Sequence, residues 1–184
     1  MKRILVTGAN KGIGLATVSK LLKDYDDTFV ILGSRDSERG HEAVSSLVEN
    51  NSDWSGRLVS LELDVECDHS VTEASRKVGS MFDNDSHPIY GIINNAGVGG
   101  ASLGIKKTLE VNTWGVRRVC DAFIPLLKPD GGRIVNVTSA AGPNYIETVN
   151  EDSKWLLTSS NVTWEEIVRY MNDRINEGSE SDPG

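Results

Sequence analysis

Five short apolar runs, separated by longer stretches of helical periodicity, organise this 184-residue chain between Arg3 and Thr138. R-I-L-V-T (Arg3–Thr7), F-V-I-L-G (Phe29–Gly33), R-L-V-S-L-E-L-D-V (Arg57–Val65), I-Y-G-I-I-N (Ile89–Asn94) and R-I-V-N-V-T (Arg133–Thr138) read as strands. Gly12–Lys23, Glu38–Glu49, Ser70–Phe82 and Lys107–Leu127 lie between them and read as helices. The first of these helices places Ile13, Ala16, Val18, Leu21 and Leu22 at helical spacing. The third strand alternates apolar with polar residues, which suits an edge-side position. Strand–helix alternation of this kind calls for parallel strands joined by right-handed crossovers, with helices on both faces. The expected fold is therefore α/β, a doubly wound parallel sheet with spatial order 3-2-1-4-5.

Such sheets bind ligands beyond the carboxyl ends of their strands. Here Thr7–Gly14, Ser34-Arg35, Asp64-Val65, Asn94–Gly97 and Thr138-Ser139 all fall at strand ends, and each brings polar or glycine residues. T-G-A-N-K-G-I-G (Thr7–Gly14) leaves the first strand and opens the first helix. Its glycines, Gly8, Gly12 and Gly14, let the backbone turn sharply and approach a pyrophosphate, whose charge is favoured at a helix N-terminus. The second strand ends G-S-R-D. A ribose 2′-hydroxyl is usually gripped there by a carboxylate. Arg35 instead stands where a 2′-phosphate would lie, and Lys11 projects from the glycine loop. Two cations beside a phosphate favour NADP(H) as the cofactor. Asp36 is left with two roles, pairing with Arg35 or accepting from a 2′-hydroxyl.

Beyond Gly142 the composition changes. Pro143–Asn161 reads as loop with a helical turn around Asp152–Leu157, and T-W-E-E (Thr163–Glu166) is a capping box. Trp164, Ile167, Val168, Met171 and Ile175 follow at helical spacing and form an apolar face suited to core packing. The expected organisation is a nucleotide-binding Rossmann core over 1–142, a helical insertion over 143–178 and a disordered tail over 179–184.

Totals narrow the partners. A net charge of −8 repels nucleic acid and anionic membrane surfaces. No stretch approaches the roughly 18 apolar residues of a membrane span, and the N-terminal apolar run is too short for a signal peptide, so the expected location is cytoplasmic. Cys67 and Cys120 lack metal-ligand spacing, and His41, His69 and His87 are scattered. No metal site is expected, and the thiols read as reduced and inert.

Taken together, the glycine loop, L-D-V (Leu63–Val65), N-N-A-G (Asn94–Gly97), Asn112 in the following helix and Ser139 after the fifth strand resemble the short-chain dehydrogenase/reductase family, from Lys2 to about Gly142. The resemblance implies that Gly8, Asn10, Lys11, Gly12, Ile13 and Gly14 line the dinucleotide. Asp64 and Val65 would hold the adenine, and Asn94, Asn95, Ala96 and Gly97 the adenine-ribose side. Asn112 and Ser139 would belong to the family's Asn-Ser-Tyr-Lys set, with Ser139 polarising a substrate carbonyl. No Tyr-x-x-x-Lys occurs in these residues: four positions after Tyr145 stands Val149, and after Tyr170, Arg174. Arginine does not take the lysine's part without repositioning its broad planar head.

N-V-T-W-E-E-I-V-R-Y-M-N-D (Asn161–Asp173) is similar to the insertion helix of the monomeric carbonyl reductases, in which the tyrosine and lysine follow shortly afterwards. The expectation is thus an NADPH-dependent oxidoreductase that reduces a ketone, aldehyde or quinone. The given chain would lack the catalytic Tyr and Lys, its sheet would be C-terminally incomplete with strand five as an edge, and the complete fold would be a monomer. The alternatives are a catalytically inactive NADP(H)-binding protein, acting as sensor or partner, and a nucleotide domain of unrelated chemistry.

Overall fold

The computed structural model describes residues 1–99 and 103–180. Five strands, β1 (Lys2–Val6), β2 (Thr28–Ser34), β3 (Leu58–Glu62), β4 (Gly91–Asn94) and β5 (Arg133–Asn136), form a parallel sheet in the order β3-β2-β1-β4-β5. Val6 lies opposite both Leu32 and Ile93, so the segments that follow β1, β2 and β4 leave the sheet at one level. That register brings the polar strand ends together.

Successive residues of a strand face opposite sides, and the sheet uses this to fill two cores. Val6, Val30 and Leu32 pack with Val18 and Leu22 of α1 (Gly12–Asp24) and Ala43 of α2 (Ser37–Asn50). Leu5, Ile31 and Ile92 face the other way, against Val71, Ala74 and Val78 of α3 (Asp68–Met81) and Val119 and Phe123 of the helix Gly115–Phe123. Each fully buried aliphatic side chain of this kind contributes about 1.5–3 kcal/mol. β3 is an edge strand, as its alternation predicts, and β5 is the other, with Ile134 38% and Val135 50% exposed.

Polar ties fix the helices to the sheet. The Arg57 guanidinium donates to four carbonyls from the last turn of α1 to the start of β2: Leu22 (3.0 Å), Tyr25 (3.0 Å), Asp26 (3.3 Å) and Thr28 (3.4 Å). Arg3 lies 4.2 Å from the Phe82 ring centroid and donates to Asp85 at 2.9 Å.

The long helix expected over 107–127 is divided. The described backbone has α4 (Gly104–Leu109), a π-helical turn (Glu110–Trp114), α5 (Gly115–Phe123) and a 3-10 turn (Ile124–Leu126). Pro125 has no N–H to continue the helical ladder, and α5 stops two residues before it. β3 likewise ends at Glu62 rather than Val65. Asp64 breaks it by forming a turn, in which its carbonyl accepts from Cys67 N (3.1 Å) and its carboxylate from Glu66 N (3.1 Å).

The chain divides into two compact units, the first comprising Met1–Gly99 with Glu110–Val137. The second contains α4 and the chain from Thr138 onward, with α6 (Ala141–Ile146), α7 (Glu151–Thr158) and α8 (Trp164–Glu180). α6 falls where the sequence reads as loop. Pro143 sits in its first turn, where a missing N–H leaves no bond unmade. α7 is capped by Asn150, which accepts from Ser153 N at 2.8 Å. α8 opens with the expected capping box: Thr163 N donates to Glu166 Oε2 (2.8 Å), and Glu166 N donates to Thr163 Oγ1 (3.2 Å). Within this unit α8 packs against α4 and α7, and Met171 on its apolar face is buried. Residues 179 and 180, expected in the tail, complete α8, while 181–184 lie outside the described residues. Among the described residues no helix is long and apolar enough to cross a membrane.

Candidate nucleotide-binding cleft

The strand ends of the first unit enclose a cleft of about 400 Å³. Its floor is the turn from β1 into α1. Gly8 takes a φ of 61°, and a Cβ there would meet Ala96 Cα at 2.8 Å. A Cβ on Gly14 would lie 2.5 Å from Asn95 Nδ2 and 2.7 Å from the Gly8 carbonyl oxygen. The loop therefore packs its backbone directly on itself and on the Asn95–Ala96 segment. Lys11, the residue before α1, makes no side-chain capping bond, so the first-turn amides of α1 remain directed outward. A helix N-terminus of this kind favours an anion.

The wall opposite is knitted to β1 by two residues. Thr7 is buried, and its Oγ1 accepts from Asn95 N (3.0 Å) and Ala96 N (2.9 Å). Asn95 Nδ2 donates to the carbonyls of Thr7 (2.9 Å) and Gly8 (3.1 Å). These four bonds fix the glycine loop against the Asn95–Gly97 segment.

Of the residues singled out in the sequence, Gly8, Asn10, Lys11, Gly12, Ile13, Gly14, Arg35, Asp64, Val65, Asn95, Ala96 and Gly97 line this cleft. Asn94 does not line it. It is 3% exposed, and its Nδ2 donates instead to Asn136 Oδ1 at 2.8 Å, as the last residue of β4 facing its neighbour in β5. Asn112 sits in the π-helical turn behind the cleft. Its Oδ1 accepts from Val98 N (2.9 Å) and its Nδ2 donates to the Val98 carbonyl (2.8 Å), so both ends of the amide hold the segment after Gly97. Single π turns recur at functional sites, and this one aims Asn112 at a backbone 14 residues away in sequence.

Arg39 lines the cleft too, as Lys11, Arg35 and Asp36 do, and sequence reasoning passed over it. A signal was present. Asp36 is the N-cap of α2, its Oδ1 accepting from Arg39 N at 3.0 Å, with Oδ2 at 3.4 Å from Arg39 Nε. An N-cap places the residue three positions on over the same helix end. The open question over Asp36 resolves toward Arg39, neither of the roles weighed for it.

Ser139 belongs to the second unit, is exposed, and its Oγ accepts from Ala141 N at 3.1 Å. In that unit the hydroxyls of Tyr145 and Tyr170 lie 2.8 Å apart. Burial, followed by the bond to Tyr170, pushes the Tyr145 phenol up to about 12. That is the opposite of what a phenol needs for proton transfer near neutral pH.

Comparison with known proteins agrees with this geometry. Residues 2–154 match the family described as short chain dehydrogenase. The (+)-neomenthol dehydrogenase of Arabidopsis thaliana is 32% identical over an alignment that covers 96% of this chain and 66% of that protein. Carbonyl reductase [NADPH] 1 of Rattus norvegicus is 31% identical, with 93% of this chain and 61% of the relative covered. The solved structure of menthone neomenthol reductase from Mentha piperita superposes with a TM-score of 0.85 at 27% identity, over 98% of this chain and 75% of the other. The chain thus spans somewhat less than two thirds of the length of these curated relatives.

Proposed function

This chain belongs to the short-chain dehydrogenase family, and we propose that it binds NADP(H) and serves the reduction of a ketone, aldehyde or quinone to an alcohol. The observation that carries the cofactor choice is that Lys11, Arg35 and Arg39 all line the cleft, with Asp36 paired to Arg39. A 2′-phosphate there gains charge-assisted bonds. The bare glycine backbone and the uncapped N-terminus of α1 fit the pyrophosphate of such a dinucleotide.

When bound, NADPH supplies a hydride to the carbonyl carbon. The residues of the chain hold and orient. Asp64 and Val65 take the adenine, and Asn95–Gly97 the ribose side, with Asn94 bracing that segment from within the sheet. Asn112 keeps the same segment in place through Val98. Ser139 accepts its bond from Ala141 N, which leaves its O–H to donate to a carbonyl oxygen. The carbonyl substrate class is supported by the relatives named carbonyl reductase. We propose further that the protein with its fold complete is a monomer acting on a small molecule in the cytoplasm; its charge of −8 supports the absence of nucleic acid and membrane partners.

A second reading is NADP(H) binding without turnover. Titration of the chain by energy transfer from tryptophan to reduced cofactor tests the shared premise. NADPH is expected to bind about tenfold or more tightly than NADH, as one or two charge-assisted bonds imply. Equal affinities would remove the role given to Lys11, Arg35 and Arg39. Quinone-dependent NADPH oxidation by the same sample would then favour the reductase, and its absence the binding protein.

A further inference from the structure

Behind the cleft, one side chain joins two parts of its wall. Arg118 of α5 is 20% exposed and reaches three elements at once. Its Nη1 donates to the Val65 carbonyl oxygen at 2.7 Å, its Nη2 pairs with Glu110 Oε1 at 2.8 Å, and its Nε pairs with the Asp68 carboxylate at the start of α3. Val65 lines the cleft. Glu110 opens the π-helical turn, and the next residue, Val111, lines the cleft as well.

Gly115, three residues before Arg118, brings α5 close to the same place. A Cβ on Gly115 would lie 3.0 Å from Val65 Cγ2 and 3.2 Å from the Val65 carbonyl oxygen. Val65 is therefore pressed by helix backbone on its side chain and held by a guanidinium on its carbonyl. The residue before it is braced separately, Asp64 N donating to Ser70 Oγ at 2.9 Å. A planar fork with five donors can serve a carbonyl and two carboxylates together, which an ammonium on a flexible stem cannot match in geometry.

We propose that Arg118 is a positioning residue for the dinucleotide: by tying the Val65 carbonyl to Glu110, it sets the separation of the Val65 and Val111 walls and so the affinity for the adenine half of the cofactor. This inference rests on the NADP(H) reading. It concerns a side chain that touches no cofactor and acts through the two valines.

The test is a set of titrations on the 184-residue chain with NADPH, 2′,5′-ADP and reduced nicotinamide mononucleotide. Arg118→Met, which keeps length and removes the donors, is expected to weaken NADPH and 2′,5′-ADP by the same factor, about tenfold. Reduced nicotinamide mononucleotide has no adenine to lay against Val65 and keeps its wild-type affinity. Unchanged NADPH affinity, or an equal loss for all three ligands, overturns the proposal, the second result marking a general loosening. If Arg118→Met does not fold, Glu110→Gln carries the test, with an expected loss of about threefold for the two adenine-bearing ligands and unchanged affinity as the overturning result. Wild-type chain that binds neither NADPH nor 2′,5′-ADP overturns the cofactor reading itself and this inference with it.

Discussion

Replacing Gly14 by alanine is the sharpest single perturbation of the cleft. The added methyl carbon would sit 2.5 Å from Asn95 Nδ2, 2.7 Å from the Gly8 carbonyl oxygen and 2.8 Å from Ala9 Cα. Two of those three atoms are backbone and cannot swing aside. The third is the amide that donates to Thr7 and Gly8. Overpacking of this kind costs about 1–3 kcal/mol. Displacing Asn95 forfeits two amide bonds at about 1 kcal/mol each. The sum is roughly 3–5 kcal/mol, which for a chain of this size lowers Tm by about 6–20 °C. NADPH binding should fall with it, because the glycine loop and the Asn95 wall separate.

Gly12→Ala is the internal control. Gly12 has φ 57° with nothing within 4 Å of a built Cβ, so its cost is backbone strain alone, about 1–2 kcal/mol. Thermal melts of both variants, with and without NADPH, decide the matter. A Gly14→Ala protein that melts within a degree of wild type, or above Gly12→Ala, would refute the close approach of α1 to the Asn95 wall.

Arg57→Ala removes the cation that closes the C-terminus of α1. With two bonds at 3.0 Å and part of the site open to water, the loss is about 2 kcal/mol, or about 4–8 °C in Tm, and an unchanged melt would contradict the clamp. Arg3, then the backbone N–H of His87, hold the Asp85 carboxyl below the usual aspartate range. A depressed carboxylate pKa gives stability that is present above the unfolded value, about 3.9, and is lost as pH falls through the folded one. Asp85→Asn should therefore lower Tm at pH 7 and converge with wild type in acid; a constant difference across that range would contradict the pairing. Arg39→Ala should weaken NADPH several-fold and leave NADH unchanged, and Arg35→Asp should do the same more severely; parallel losses for both cofactors in titration would remove the 2′-phosphate assignment.

Much of this was legible in the residues, and the exceptions share a cause. Leu5 and Val6, or Ile31 and Leu32, are apolar on successive positions because both sheet faces are covered, and that pattern announces a central parallel strand without any knowledge of neighbours. T-G-A-N-K-G-I-G carries its own geometry in the same way, and so does the capping box at Thr163. Asn94 could not be placed by such local reasoning. It shares a motif with Asn95, yet a period of two along the chain sends one amide into the sheet and its neighbour to the cleft. The grip of Arg118 on Val65 depends on a contact between residues about fifty positions apart, and Asn112 in the π turn reaches Val98, 14 positions away. Arg39 was closer to view, since the N-cap that positions it lies three residues before it.

We propose that this cleft holds a dinucleotide with its 2′-phosphate among Lys11, Arg35 and Arg39. A crystal structure of the chain grown with NADPH tests it most directly. The pyrophosphate is expected at the N-terminus of α1, against Gly12–Gly14, and the 2′-phosphate within hydrogen-bond distance of at least one of the two arginines. A 2′-phosphate turned to solvent, or a cofactor bound elsewhere, would contradict it.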